Sequence, residues 1–360
     1  MSQLVVSLIV VLVATLVLLS SVPLMLIVER RGSAFMQRRV GPNRVGPFGF
    51  MQPLADALKL IFKEQIVPDS SNKKLFNLAP VIGLFPPFIA FAAIPFAQSI
   101  YWEGIEYNVQ AIQMNVGLLF LLAVSSLHVF SILCAGWSSN NKFSLLGALR
   151  ASSQMISYEI AIGVSIVSVV MTYGSLDLSK IVMLQQSGSG LPWWAFITLP
   201  LPFLILWISS FAETNRLPFD LPEGETELVA GYHSEYSGLK WALFFLGEYC
   251  AMIVASAFLA TLFLGGYNIP FLSTETLRSI FQDFGLSLSW ASILTSICQF
   301  KCLLAKIGFF MWVFVWVRWT LPRFRYDQLM KLGWKVLFPL AILNVIFTML
   351  VSYFAYWGSV

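Results

Sequence analysis

Residues 4–28 read LVVSLIVVLVATLVLLSSVPLMLIV, and none of them carries a charge. A helix rises 1.5 Å per residue, so about 20 apolar residues cross the roughly 30 Å hydrocarbon layer of a bilayer. The stretch is therefore expected to be a spanning helix. It is not expected to be a cleaved signal peptide: it is too long, no basic region precedes it and an Ala-x-Ala-like site is missing. The rest of the chain has the same character. Of its 360 residues 58% are hydrophobic and 11% charged, with a mean hydropathy of +0.78. A soluble domain is about half apolar and about a quarter charged. A membrane β-barrel would show short alternating segments, and none is visible. The composition predicts an all-α polytopic membrane protein, one integral membrane domain over 1–360.

Apolar runs place eight spans, at about 4–28, 79–98, 111–136, 151–172, 193–212, 240–264, 288–318 and 335–357. The connecting segments alternate sides. The 29–78 segment holds nine Lys or Arg, 137–150 and 213–240 two each, and 318–335 five, which is 18 of the chain's 22. Basic loops stay on the cytoplasmic or matrix side. Both termini are therefore expected on the outer side. Within 29–78 the unit RVGPNRVGP (39–47) makes stiff turns. Pro53 then opens a helix expected over 53–66, with Leu54, Leu58, Ile61 and Phe62 on one face and Asp56, Lys59 and Lys63 on the other. Such a helix suits the membrane surface; packing on the bundle is the plainer reading, and the two are compatible.

A charge at the centre of a spanning helix costs roughly 2.5–3.5 kcal/mol on insertion scales, so each needs a reason. Glu159 in SYEIAIG and Glu248 in FLGEYCA lie about 12 Å deep, at 1.5 Å per residue, on the basic-loop side. Glu213 closes the fifth span. Each alone is equally well a polar pair joining two helices. Three acids at similar depth suggest a proton route, because a carboxyl moved out of water holds its proton to higher pH. Lys301 and Lys306 are five apart, so about 140° apart around one helix, and cannot serve the same seam. His128 reads as a core histidine bonded to a neighbour. Cys134, Cys250, Cys298 and Cys302 read as packing residues. The chain shows no Gly-rich phosphate loop, no cysteine cluster and only two histidines. No metal and no redox cofactor are expected to be bound by the chain itself. The basic residues follow topology, not a nucleic-acid footprint.

The segment AETNRLPFDLPEGETELVAGYHSEYSG (212–238) gathers six of the 18 acids: Glu213, Asp220, Glu223, Glu225, Glu227 and Glu235. Together with ERRGSAFMQRRVGPNRVGPFGFMQPLADALKLIFKE (29–64) and VRWTLPRFRYDQLMKLGWK (317–335), it closely resembles the quinone-site membrane subunit of respiratory complex I, NADH:quinone oxidoreductase, the H-type subunit of bacteria and subunit 1 of mitochondria. The resemblance covers essentially the whole chain. It implies a protein that anchors the membrane arm to the peripheral arm and frames a tunnel for ubiquinone or menaquinone. FMN and iron–sulfur clusters would lie in partner subunits, and the energy released would drive antiporter-like subunits. Carried onto this sequence, Glu29, Arg30, Gln37, Arg39 and Asp56 match tunnel or tunnel-mouth positions. Arg216, Asp220, Glu223, Glu225 and Glu227 match the loop beside the quinone cavity. Glu159, Glu213 and Glu248 match acids leading into the membrane's polar axis. Lys306 falls where many members have a lysine; Lys301 matches nothing. The resemblance implies a bacterial plasma membrane, the chain being longer than most mitochondrial members, with the mitochondrial inner membrane as the alternative.

In physical terms, quinone reduction takes up two protons and creates transient negative charge. Mutually repelling carboxylates beside it titrate as a coupled set. The plainer alternative is that these acids bind basic surfaces of docking subunits. Asp220 is placed to brace Arg216 four residues before it, and Glu235 reads as a docking or structural residue. Two further readings compete. A membrane-bound hydrogenase relative usually shows weaker versions of these blocks. A stand-alone secondary transporter would break its spans near mid-membrane, whereas the prolines here lie mostly near span ends or in loops.

Overall fold

The computed structural model describes residues 3–102, 104–186, 194–221 and 230–357, with side chains to 354. Glu223, Glu225 and Glu227 lie outside the described residues. The chain is mostly helical. Its helices are α1 (Gln3–Met36), α2 (Gln52–Phe62), α3 (Lys73–Ala92), α4 (Gly117–Ser125), α5 (Leu127–Ser138), α6 (Lys142–Tyr173), α7 (Leu178–Leu184), α8 (Ala195–Thr198), α9 (Pro200–Glu213), α10 (Gly238–Phe263), α11 (Thr274–Asp283), α12 (Leu288–Thr320), α13 (Tyr326–Lys331) and α14 (Phe338–Trp357). Among the described residues seven helical segments are long and apolar enough to cross a membrane: α1, α3, α4 with α5, α6, α10, α12, and α13 through α14. The protein is a multi-pass membrane protein.

The fifth expected span, 193–212, differs. Its described part is α8 followed by the 14-residue α9. At 1.5 Å per residue α9 is about 21 Å long, short of the roughly 30 Å core. Pro200, which lacks an N–H, starts α9 afresh after Leu199 leaves helical geometry. The expected 111–136 span is also broken, at Ser126. There Ser125 Oγ bonds Leu122 O and Ser126 Oγ bonds Ala123 O, the back-bonding by which serines bend helices. A two-stranded antiparallel hairpin, β1 (Ser99–Trp102) with β2 (Ile105–Asn108), was not expected in an all-α chain. It follows the three prolines of α3 and is tied to α12 by Ser292, whose hydroxyl accepts from Tyr101 N. Other helices run longer than their apolar stretches: α1 continues through Pro23 and the charged Glu29–Arg31, and α6 begins at Lys142.

α10 is the most enclosed element, with a run from Ser256 to Phe263 buried throughout. It meets α3 where Gly247 faces Gly83; a Cβ on Gly247 would stand 2.9 Å from the Gly83 carbonyl oxygen, so two glycines let the backbones touch. α1 and α14 instead expose rows of Leu, Ile and Phe, as lipid-facing helices do. On α2, Leu54, Leu58, Ile61 and Phe62 also point away from the protein while Pro53 is buried. Its apolar face is thus not used against the bundle.

Candidate functional site

Where α1, α10 and α12 meet the segment after α9, buried polar groups form a continuous chain. Glu29, near the end of α1, is 7% exposed and receives Arg318 of α12 and the hydroxyl of Tyr249 of α10. The Tyr249 ring lies under the Arg216 guanidinium, 4.2 Å from ring centre to Cζ. Arg216 in turn faces Glu248, Nη2 to Oε2 at 4.0 Å. Glu248 Oε1 accepts the Tyr232 hydroxyl at 2.8 Å. Arg216 and Glu248 are 7% and 4% exposed. Charges so enclosed persist only when paired and hydrogen-bonded, and here cation, ring and carboxylate alternate.

The segment bearing Arg216 is held from below by Gln154 of α6, itself buried, whose amide donates to Ala212 O at 2.8 Å and Phe219 O at 2.9 Å. Asn215 takes a left-handed turn (φ 49°), which asparagine tolerates, and this reverses the chain after α9 so that Arg216 points inward. Farther along, Tyr236 stacks on Phe76 with centroids 4.0 Å apart, and burial pushes its phenol up to about 12.

A second cluster lies at the α1–α2 junction. Arg30 pairs with Asp56 at 2.5 Å, and Gln52 Nε2 donates to Asp56 at 3.3 Å. Arg39 bonds Gln37 at 2.6 Å, but both are exposed beyond the end of α1 and lie outside the buried chain. The Arg216–Asp220 brace is corrected: Asp220 pairs instead with Arg323 at 3.0 Å, tying the segment to the turn after α12, while Arg216 turns to Tyr249 and Glu248. Glu235 accepts from Asn141 at 2.6 Å, a tie between two loops.

Glu159 is half-buried on α6. Glu213 lines a cavity of about 60 Å³ between α3, α4, α5, α6, α9 and α10, and His128 lines it too. His128, expected to be a core histidine bonded to a neighbour, bonds the Gly83 carbonyl and faces this cavity as well. Lys301 lies exposed on α12, whereas Lys306 is buried and donates to Leu264 O, Gly266 O and Asn268 O at 2.7, 2.7 and 2.6 Å. No group of three or more His, Cys, Asp or Glu able to hold a metal occurs among the described residues. Sequence reading missed Tyr249, Tyr232, Gln154 and the role of Arg318. Tyr249 follows Glu248 directly, and a phenol beside a membrane-depth acid was the available signal.

The profile of the NADH dehydrogenase family matches residues 8–349. The chain is similar to the H-type NADH-quinone oxidoreductase subunit of Bdellovibrio bacteriovorus, 45% identical, covering 94% of each chain. It is 49% identical to NADH-quinone oxidoreductase subunit 8 of Rhodothermus marinus, covering 88% of this chain and 89% of that one. To the H-type subunit of Rickettsia africae it is 47% identical, covering 93% of this chain and 92% of that one. A membrane-embedded chain with this cluster, matched over nearly its full length, belongs to the NADH dehydrogenase family, that of the H-type membrane subunit of NADH-quinone oxidoreductase.

Proposed function

We propose that this chain is the quinone-binding membrane subunit of a proton-translocating NADH:quinone oxidoreductase, and that it couples quinone reduction to proton movement through buried carboxyls. The observation that carries this reading is the enclosed chain Arg318–Glu29–Tyr249–Arg216–Glu248–Tyr232. A quinone head approaching the α1–α2 junction, where Arg30 and Asp56 pair, gains negative charge on reduction. Arg216, buried, and Arg318, partly exposed, are the cations of the chain that can answer it. Any weakening of Arg216 against Glu248 changes how firmly Glu248 holds a proton, and Glu213 and Glu159 lie beyond it toward the membrane interior. The chain supplies cations, phenols and carboxyls that hold charge and protons; electrons would arrive from iron–sulfur and flavin groups in partner subunits.

In this reading the chain spans eight times as one integral domain, α8–α9 being part of the fifth span. Its termini face outward and its loops 29–78, 137–150, 213–240 and 318–335 face the cytoplasm of a bacterial inner membrane. The acids of 212–238, including Glu223, Glu225 and Glu227, serve both the cavity and docking of peripheral subunits. The test is isolation of the chain in mild detergent and identification of what accompanies it. Flavin and iron–sulfur proteins with quinone-reductase activity are expected. A nickel–iron protein would instead indicate a hydrogenase, and a lone chain a transporter.

A further inference from the structure

The cavity at Glu213 has a polar wall of five groups: Glu213, Thr214 and Ser210 at the end of α9, Ser125 at the α4–α5 break, and His128 on α5. The hydroxyls have little to give it. Ser125 donates to Leu122 O, Ser210 to Trp207 O and Thr214 to Ser210 O, all on their own helices. Ser210 and Thr214 therefore offer the cavity only lone pairs, while Ser125 also bonds the Glu213 carboxyl. Any other hydrogen-bond donor there must come from water, from a protonated Glu213 or from His128. His128 is 7% exposed, and its Nδ1 has no hydrogen-bond partner among the described residues. A buried polar atom left so costs about 1–3 kcal/mol. Water removes that penalty if there is room, and a hollow of about 60 Å³, largely apolar but with this one polar wall, has space for up to about four molecules at about 15 Å³ each.

On its far side His128 is anchored by a hydrogen bond to the Gly83 carbonyl of α3. That oxygen's helical donors would be residues 86 and 87, both proline without N–H, so it is free to take the imidazole. The ring thus lies between the carbonyl it bonds and a hollow shared with a carboxyl, and its Nδ1 is left for whatever fills that hollow.

We propose that this cavity is hydrated and that His128 is its second proton-holding group: a proton leaves the Glu213 carboxyl, passes through cavity water and binds the His128 imidazole, leaving carboxylate and imidazolium. The step conserves charge and needs no other reactant. It rests on the coupling reading of Glu213 and adds the group that receives from it. The other titratable groups acting on the pair are Glu159 of α6, beside Glu213, and His233, beside His128. A change in the charge of Glu159 therefore sets the direction of transfer.

The test uses the whole complex carrying His128→Gln or His128→Glu, with NADH oxidation by an artificial acceptor as the control for assembly. His128→Gln, which bonds but cannot titrate, is expected to lower quinone-linked proton pumping about a hundredfold or more and to flatten its pH profile, within the range for loss of a proton-transfer group. His128→Glu, which titrates, is expected to keep most of it with a displaced profile. A Gln variant with unchanged rate and profile overturns the proposal, as does equal loss in both assembled variants. The unmodified complex with ring-15N histidine supplies the check independent of folding. Infrared difference spectra on quinone reduction should show an imidazole band changing together with a carboxyl band, and no histidine band would overturn the proposal. Absence of quinone-linked pumping in the unmodified complex would instead refute the wider functional reading.

Discussion

Lys306 sits where three carbonyl oxygens at the end of α10 converge on one ammonium, with the Trp194 ring 4.7 Å away. The helix C-terminus is the negative end of its dipole, so the charge is doubly matched. Lys306→Met should leave the three carbonyls unpaired in a dry interior and destabilise the protein by about 3–5 kcal/mol, the range for breaking a buried charged pairing. A thermal midpoint in detergent close to that of the native protein would contradict this. Tyr249→Phe separates two roles of one side chain: the ring under Arg216 stays and the bond to Glu29 is lost. A cost of about 1–3 kcal/mol is expected from the unsatisfied carboxylate. Quinone-linked turnover should fall far less than in Tyr249→Leu, which removes both; equal turnover in the two variants would show that the ring contact is idle. The lysine was visible in the sequence as a charge needing a reason, but its partners were not. Backbone carbonyls carry no sequence signature, and Gly265 and Gly266 shape this turn through left-handed conformations at φ 67° and 52°.

Elements show where sequence patterns carry and where they stop. Long apolar runs made α10 and α12 legible almost to their ends, because hydrocarbon leaves the backbone no other structure, whereas α1 runs eight residues past its uncharged stretch. The hairpin was not legible, since four-residue strands have too few positions to display alternation. The break at Ser126 and the restart at Pro200 were hidden inside apolar runs. α2 was foreseen from its two faces, and the structure decides which way they point. With Leu58 and Phe62 outward and Asp56 turned to Arg30, the helix is arranged to lie in the lipid surface. Single cysteines at Leu58 and Phe62 should carry fluorophores quenched by lipid-borne quenchers, and cysteines at Lys59 and Lys63 should not. Uniform quenching at all four would contradict the placement.

At the scale of the molecule, the buried polar chain and the cavity belong to no single segment. Glu29 and Arg318, or His128 and Glu213, come together only through the bundle, so a linear reading could name the acids without their partners. The family resemblance assigned Glu29 to the tunnel, Arg216 to the loop beside the cavity and Glu248 to the acids leading inward; the structure joins the three through Tyr249 and reassigns Asp220 to Arg323. The charge asymmetry of the loops makes a separate prediction. A membrane-impermeant maleimide should label cysteines near both termini from the outside, and cysteines in 37–70 only from the inside. Labelling of both groups from one side would reverse or break the proposed topology.

The central claim is that carboxyls beside the buried chain link quinone reduction to proton movement. The most direct measurement is the number of protons pumped per electron by the complex reconstituted in sealed vesicles, native against Glu213→Gln. The account predicts that the variant keeps artificial-acceptor NADH oxidation and loses quinone-linked pumping. An unchanged proton-to-electron ratio in Glu213→Gln would contradict it.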